Sequence, residues 1–216
     1  MNTIIERYQK IKSNILAIKS SKSVNIVAVS KTFSLDHVRP LLDHGHIHFG
    51  ENKVQEAKHK WSSIIKDNNK LKLHMVGRLQ SNKAKEAVNI FDYIHSLDSQ
   101  KLADILAKSE LEANKFLKYF IQVNLGNEMQ KSGIPAAEVE GFYNYCKNEK
   151  KLSIQGLMII PPNDGNAKKY FENLSHLNRS LGLTELSMGM SSDYKEAIAH
   201  NSTFVRIGSL IFGQRS

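Results

Sequence analysis

Short apolar, β-branched runs alternate along the chain with longer segments in which apolar residues recur at helical spacing. The segment 3–20 is predicted to be a helix, because one stripe of it carries Ile4, Tyr8, Ile11, Ile15 and Ile18. Eight runs of strand length follow, at 25–30, 47–49, 71–76, 93–96, 119–124, 154–160, 185–189 and 203–207. The segments between these runs are predicted to be helices.

Helix start signals support this alternation. Asp98 or Ser99 is placed to cap one of the predicted helices, and Asp193 with Glu196 forms a capping-box-like start for another. Eight strands with seven intervening helical segments predict an α/β fold, a single (β/α)₈ TIM-type barrel with an extra N-terminal helix. A doubly wound open sheet has the same local alternation and is the less favoured alternative. No linker or composition shift divides the chain, so residues 1–216 are expected to form one domain.

A phosphate site is predicted from the residues that follow the last two strands. Ligand residues of a barrel lie just beyond the C-terminal strand ends, and the loops after strands seven and eight often bind phosphate. Ser191 and Ser192 occupy the first of these loops, and Gly208 and Ser209 occupy the second. Small residues let a phosphate approach backbone N–H groups, and serine hydroxyls add donors. The alternative is that these serines only cap helices.

Lys31 ends the first apolar run and would project at the same mouth of the barrel. Desolvation beside apolar strand walls lowers the pKa of a lysine and frees its amine for Schiff-base chemistry. Most lysines are solvated and inert. However, a lysine that faces a phosphate site suits pyridoxal 5′-phosphate (PLP), whose aldehyde and phosphate need two separate anchors.

Arg206 alternates with apolar residues on the eighth strand and is expected to face inward. A buried arginine stays charged and must find acceptors for its N–H groups. The structural possibility is an ion pair with a carboxylate such as Glu185, and the functional possibility is an acceptor on the ligand.

Seven ordered motifs then carry a family resemblance over essentially the whole chain. They are Ala28-Val29-Ser30-Lys31-Thr32, Phe49-Gly50-Glu51-Asn52-Lys53-Val54-Gln55-Glu56, His74-Met75-Val76-Gly77-Arg78-Leu79-Gln80-Ser81-Asn82-Lys83, Val123-Asn124 with Lys131-Ser132-Gly133-Ile134, Gly156-Leu157-Met158, Leu186-Ser187-Met188-Gly189-Met190-Ser191 and Val205-Arg206-Ile207-Gly208-Ser209. The sequence resembles the PLP homeostasis proteins of the YggS/PROSC family, which are related to the N-terminal barrel of bacterial alanine racemase.

The resemblance implies a set of cofactor contacts. It implies PLP held as a Schiff base on Lys31, with Arg206 beside the pyridine nitrogen. It also implies phosphate contacts from Ser191, Gly208 and Ser209, where the family usually has threonine at the last position and serine keeps the hydroxyl. Asn52 and His74 match motif residues that line the pocket. The implied role is that of a PLP carrier or buffer in intracellular PLP homeostasis, without robust enzymatic turnover.

Two other functions stay open at this point. One is a low-activity PLP-dependent amino-acid racemase, and the other is a regulatory protein whose partner binding depends on PLP occupancy. Racemisation needs a proton donor and a proton acceptor on opposite faces of the substrate. Lys31 can serve one face, and Tyr194, His74 and Tyr93 are conceivable for the other. The chain ends at Ser216, so we expect no later segment to supply the tyrosine that racemases bring from beyond the barrel.

Composition narrows the partners. The net charge is +9, but the 30 Lys and Arg residues are scattered, so nucleic-acid binding is not expected. The apolar runs are too short to cross a bilayer, and no secretory signal precedes the first helix. A single cysteine, Cys146, fits a reducing compartment, and we expect a cytoplasmic protein. PLP is the expected ligand, PLP-dependent apo-enzymes are possible recipients, and a lone barrel is expected to be a monomer.

Two further features are not expected to carry chemistry. His44, His46 and His48 alternate suggestively, but Gly45 resembles the residue after a helix end, with His46 in the connecting loop, so the three should not converge on a metal. Cys146 lies on a predicted amphipathic helix at 138–147 and is expected to be a core residue.

Overall fold

A closed barrel of eight parallel strands forms the centre of the molecule. The computed structural model describes residues 3–18, 24–126 and 132–214. Its strands are β1 Asn25–Val29, β2 His48–Glu51, β3 Lys72–Met75, β4 Tyr93–Leu97, β5 Lys118–Asn124, β6 Ile134–Pro135, β7 Ser153–Met158, β8 Glu185–Ser187 and β9 Phe204–Ile207. The strand order is β4-β3-β2-β1-β9-β8-β7-β5-β6, and a pairing of β4 with β5 closes the barrel. This closure confirms the barrel over the open sheet.

The helices surround the barrel. They are α1 Thr3–Ile18, α2 Leu35–Asp43, α3 Val54–Asp67, α4 Ala84–Ile90, α5 Gln100–Ala113, α6 Val139–Asn144, α7 Ala167–Ser180, α8 Tyr194–Ala199 and α9 Ser209–Phe212. The extra N-terminal helix is therefore confirmed as α1, and positions 19 and 20 of its predicted span lie outside the described residues. Within the described ranges, no helix has both the length and the apolar character needed to cross a membrane.

The strands lie where the apolar runs predicted them, with small differences at their ends. Gly50 and Glu51 belong to β2 rather than to the loop after it. The two-residue strand β6, which pairs with the end of β5, was not predicted. Two residues are too few to show the alternation by which a strand is recognised.

One of the two predicted helix caps forms as expected. The Ser99 hydroxyl accepts a hydrogen bond from the Leu102 N–H at the start of α5. The prediction of a capping box at Asp193 is wrong, because this side chain makes no capping hydrogen bond to α8. The Asp193 carboxylate accepts instead from the backbone N–H of Met190, three residues earlier, at 2.6 Å. It thereby fixes the loop that carries Ser191.

Glycine sets the spacing between two barrel strands. A Cβ placed on Gly156 in β7 would lie 1.7 Å from the carbonyl oxygen of Glu185 in β8. No side chain fits there, so only glycine allows these strands to pair at this register.

The N-terminal helix supports the short helix that ends the barrel. α1 packs against α8 and α9. The Asn14 amide donates to the Tyr194 hydroxyl at 3.1 Å, which joins α1 to α8. The ring of His37 in α2 also donates from Nε2 to the carbonyl oxygen of Phe212 in α9 at 3.0 Å. Both α1 and α2 therefore hold the α9 helix.

Candidate functional site

A cavity of about 640 Å³ opens at the C-terminal ends of the strands. Six of the seven predicted site residues line it: Lys31, Asn52, Ser191, Arg206, Gly208 and Ser209. These residues come from four separate places in the sequence, at or after the ends of β1, β2, β8 and β9, and meet because all the parallel strands end on one face of the barrel. The seventh predicted residue, His74, does not reach the cavity.

Lys31 lies half-buried in the turn that follows β1. The next residue, Thr32, has a φ of 70°, which a threonine adopts only when its surroundings enforce it. Its N–H donates to the Glu56 carboxylate of α3. On the other side of Lys31, the Ser30 carbonyl oxygen accepts from the Lys60 ammonium at 2.8 Å. The turn that carries Lys31 is thus fixed from both sides by α3.

A buried polar cluster beneath this turn was missed by the sequence analysis. One oxygen of Glu51, a fully buried side chain, accepts from Ser30 Oγ at 2.7 Å, from Lys60 Nζ at 2.9 Å and from Trp61 Nε1 at 3.0 Å. Lys60 is itself 9% exposed. A signal was available, because Lys60 and Trp61 share the stripe of Val54 on α3, so a lysine occupies a core-facing position.

Small residues after β8 and β9 form another part of the cavity wall. Ser191 is half-buried, and Ser209 is exposed at the start of α9. A Cβ on Gly208 would lie 3.1 Å from the carbonyl oxygen of Val29, so this position has little room for a side chain. Hydroxyl groups and backbone N–H groups that a ligand can approach closely are suited to bind a phosphate. No carboxylate, which would repel a phosphate, is among the described residues that line the cavity.

Arg206 projects from β9 into the barrel and is 5% exposed. Its NH1 group donates to Ser187 Oγ at 2.7 Å, and its NH2 group donates to the Ile159 carbonyl oxygen at 2.8 Å. The ion pair with Glu185 considered above does not form, because the acceptors of the guanidinium are these two neutral groups. Burial lowers the pKa of Arg206 to about 10, a shift partly opposed by the charge of Asp193. The side chain remains a cation at neutral pH, and its other N–H groups are available to an acceptor in the cavity.

The structure corrects the expectation that His74 lines the pocket. The side chain is fully buried inside the barrel. His74 Nε2 lies 2.9 Å from His48 Nδ1, and His74 Nδ1 lies 2.9 Å from His95 Nε2. Burial first, and then the neighbouring His95, holds the pKa of His74 well below its usual value. It is a neutral core histidine with both ring nitrogens occupied.

The other candidate acid–base residues also lie away from the cavity. The Tyr194 hydroxyl faces α1 and accepts from Asn14, and Tyr93 is stacked on His74 at 4.3 Å within the barrel. Cys146 is fully buried, and burial raises the pKa of its thiol to about 12. Its place in the core matches the sequence prediction.

The described histidines do not converge on a metal. His44 ends α2, Gly45 follows with a φ of 88°, and His46 lies in the loop before β2. His46 bonds through Nδ1 to the Tyr8 hydroxyl and through Nε2 to the carbonyl oxygen of His48. In the described parts of the chain, no three His, Cys, Asp or Glu side chains are grouped to hold a metal ion.

Comparison with known proteins identifies the family. The profile of the alanine racemase N-terminal domain matches residues 7–216. A pyridoxal phosphate homeostasis protein of Aquifex aeolicus is 34% identical over 100% of this chain and 96% of its own length. One from Synechocystis sp. is 38% identical over 89% of this chain and 92% of its own length. The chain belongs to the pyridoxal phosphate homeostasis protein family.

A solved protein of similar length has the same fold. PipY of Synechococcus elongatus PCC7942, solved without PLP, superposes with a TM-score of 0.88 at 35% identity, over 97% of this chain and all of its own. The same protein solved with PLP bound gives a TM-score of 0.87 over the same shares. The shared fold therefore extends over essentially the whole chain.

Proposed function

We propose that this protein binds PLP in the cavity at the mouth of the barrel and holds it as a Schiff base on Lys31, as part of intracellular PLP homeostasis. The observation that carries the proposal is the meeting of an amine, a buried guanidinium and a wall of small hydroxyl-bearing residues on one cavity. The curated relatives are named pyridoxal phosphate homeostasis proteins, and PipY has been solved with PLP bound. Both findings support the same ligand.

Each wall of the cavity suits one part of the cofactor. The Lys31 amine would hold the aldehyde, and Ser191, Gly208 and Ser209 would hold the phosphate. Asn52 lines the same cavity and would also contact the cofactor. Arg206 would face the ring nitrogen, where an obligate cation disfavours protonation of that nitrogen. When bound, PLP supplies a reactive aldehyde and an electron-withdrawing ring, and this arginine weakens the second property.

The geometry favours a carrier or buffer over a racemase. Among the described residues that line the cavity, Lys31 is the one conventional acid–base side chain, because no histidine, tyrosine, cysteine or carboxylate is among them. Racemisation needs a second such group on the opposite face of the substrate. The three candidates for that group, Tyr194, His74 and Tyr93, all lie away from the cavity. We therefore propose the carrier or buffer as the leading function. The alternatives are a low-activity racemase and a regulatory protein whose partner binding depends on PLP occupancy.

The proposal includes a cellular setting. We propose that residues 1–216 act as one PLP-binding domain, as a monomer in the cytoplasm, and that PLP-dependent apo-enzymes receive the cofactor. The single cysteine, buried in the core, supports a reducing compartment. A carrier for a reactive aldehyde needs a site that holds it reversibly, and an amine near an open cavity meets that need.

An absorbance experiment tests the function. Purified protein loaded with PLP should show a visible band that borohydride bleaches, and Lys31→Ala should abolish it. Lys10→Ala, a change on the exposed face of α1, is the matched control and should leave the band intact. Loaded protein should then activate a PLP-dependent apo-enzyme. A band unaffected by Lys31→Ala would overturn the anchor, and sustained racemisation of an amino acid would overturn the carrier.

A further inference from the structure

A continuous file of hydrogen-bonded side chains crosses the barrel interior and ends at Arg206. It starts at the half-buried His48 at the beginning of β2 and passes through His74, His95 and Ser187. The steps are 2.9 Å from His48 Nδ1 to His74 Nε2, and 2.9 Å from His74 Nδ1 to His95 Nε2. His95 Nδ1 then lies 2.7 Å from Ser187 Oγ, which accepts from Arg206 NH1 at 2.7 Å. Five strands, β2, β3, β4, β8 and β9, each contribute one residue to it.

Hydrogen-bond chemistry fixes the direction of this file. Arg206 only donates, so Ser187 Oγ must accept from it. The hydroxyl hydrogen of Ser187 then needs an acceptor, and His95 Nδ1 is the other partner of this oxygen. His95 therefore carries its proton on Nε2 and donates to His74 Nδ1, and His74 donates in the same way to His48. The reverse direction would leave the buried Ser187 hydroxyl hydrogen without an acceptor among the described residues.

Packing and burial keep the file neutral and rigid. His74 is stacked on Tyr93 at 4.3 Å between ring centroids, and His95 is stacked on Phe120 at 4.5 Å. Burial is the largest cause that holds the pKa of His95 well below its usual value, and the charge of Arg206 is the next. Three charged groups act from outside on His48 at the outer end of the file, namely Lys72, Asp92 and Lys118, and Lys72 also acts on His74. Arg206 is thus the one charged member of the file, and the Asp193 carboxylate acts on it at this inner end.

We propose that Ser187 and His95, supported by His74 and His48, are positioning residues that fix the orientation of the Arg206 guanidinium toward the ligand cavity. This role rests on the proposed binding of PLP. The PLP ring nitrogen would meet the N–H groups of Arg206 that do not bond to Ser187 or to Ile159. The guanidinium has two anchors, the Ser187 hydroxyl and the Ile159 carbonyl oxygen. Loss of the hydroxyl would remove one and let the planar group rotate. The electrostatic environment of the bound ring would then change without any change in the lysine anchor.

The first test uses the protein without cofactor and does not depend on the proposed function. Nitrogen-15 NMR of the histidine rings should show that His74 and His95 are neutral at pH 6, with their protons on Nε2. In Ser187→Ala the Nδ1 signal of His95 should shift, because its donor is gone. Ser96→Ala, which removes a buried hydroxyl of β4 that has no partner among the described residues, should leave that signal unchanged. Protons on Nδ1, or an unshifted His95 signal in Ser187→Ala, would overturn the file.

The second test uses the PLP-loaded protein and follows the pH titration of its visible band. Ser187→Ala and His95→Phe should keep the borohydride-sensitive band but move its titration midpoint by about half a pH unit or more. His95→Asn should restore the midpoint, since its side-chain oxygen can replace Nδ1 as the acceptor of the Ser187 hydroxyl. Ser96→Ala should titrate as the wild type does.

The outcomes separate the two proposals. A wild-type protein with no borohydride-sensitive band would end the proposed function, and the cofactor-free NMR would still decide the file. A normal band whose midpoint is the same in Ser187→Ala, His95→Phe and Ser96→Ala would overturn the positioning role alone. If Ser187→Ala does not fold, the His95→Phe and His95→Asn pair carries the same comparison.

Discussion

Replacement of Lys60 by methionine is expected to be among the most damaging single changes outside the apolar core. Methionine has a similar length but removes the charge and the three donor contacts of the ammonium, to Glu51, Glu56 and the Ser30 carbonyl oxygen. The Glu51 side chain is fully buried, so its carboxylate would lose its cation with no access to water. Breaking a buried pair in this way costs about 3–5 kcal/mol of the free energy of unfolding.

A matched surface pair isolates the effect of burial. Lys85 and Glu112 lie 2.8 Å apart, against 2.9 Å for Lys60 and Glu51, but their side chains are 74% and 42% exposed. Since exposed ion pairs contribute little, Lys85→Met should leave the unfolding free energy close to that of the wild type. The two variants therefore differ in burial and not in pair geometry.

Urea unfolding of the cofactor-free protein measures both changes. The single tryptophan, Trp61, donates to Glu51 within the same cluster and reports its loss by fluorescence. A lower midpoint at unchanged slope would show lost stability rather than a changed unfolded state. Adding Glu51→Gln to Lys60→Met should recover part of the loss, because the uncompensated charge is removed. If Lys60→Met costs no more than Lys85→Met, the buried cluster does not stabilise the Lys31 turn as we infer.

Three further predictions concern the core. Burial lowers the pKa of His46 to about 4, so the unfolded state takes up a proton before the native state does. As the pH falls from 7 to 4.5, this residue should therefore cost about 2 kcal/mol of unfolding free energy. Urea titrations at both pH values should show a smaller loss in His46→Gln, and an equal loss would contradict the assignment. Gly156→Ala should prevent folding or lower the melting temperature sharply, whereas Gly141→Ala, where a Cβ meets nothing within 4 Å, should be tolerated in the same thermal melt. Native Cys146 should react with a thiol reagent at pH 8 far more slowly than in urea, because burial keeps its pKa near 12, and equal rates would show that the thiol is accessible.

The fold was predictable because its determinants are local. β-branched runs such as those of β1 and β9 identify strands by composition, and they place Lys31 just after β1 and Arg206 within β9. The barrel places strand ends on one face, so the prediction that Lys31 and Ser209 share a cavity needed only the order of elements. Their predicted roles as cofactor ligands stay predictions.

The parts that were missed depend on contacts between distant residues. The pocket position expected for His74 was wrong because its partners, His48 and His95, are 26 and 21 residues away and meet it only through the register of neighbouring strands. The Asp193 carboxylate could reach either the backbone N–H groups at the start of α8 or the N–H of Met190. The sequence does not show which of these hydrogen bonds forms. Pairing of Lys60 with Glu51 likewise requires the angle between α3 and the barrel.

The contacts of α9 with α1 and α2 have a consequence for protein engineering. A chain shortened to begin at residue 24 would retain each described residue that lines the cavity, and by that measure would look fully functional. It would nevertheless remove the helix that packs against α9, whose apolar residues Ile211 and Phe212 are buried in the whole chain. Since Ser209 begins α9, the shortened chain should bind inorganic phosphate and PLP more weakly than the whole chain. Fusion partners and tags are therefore better added in front of α1 than substituted for it.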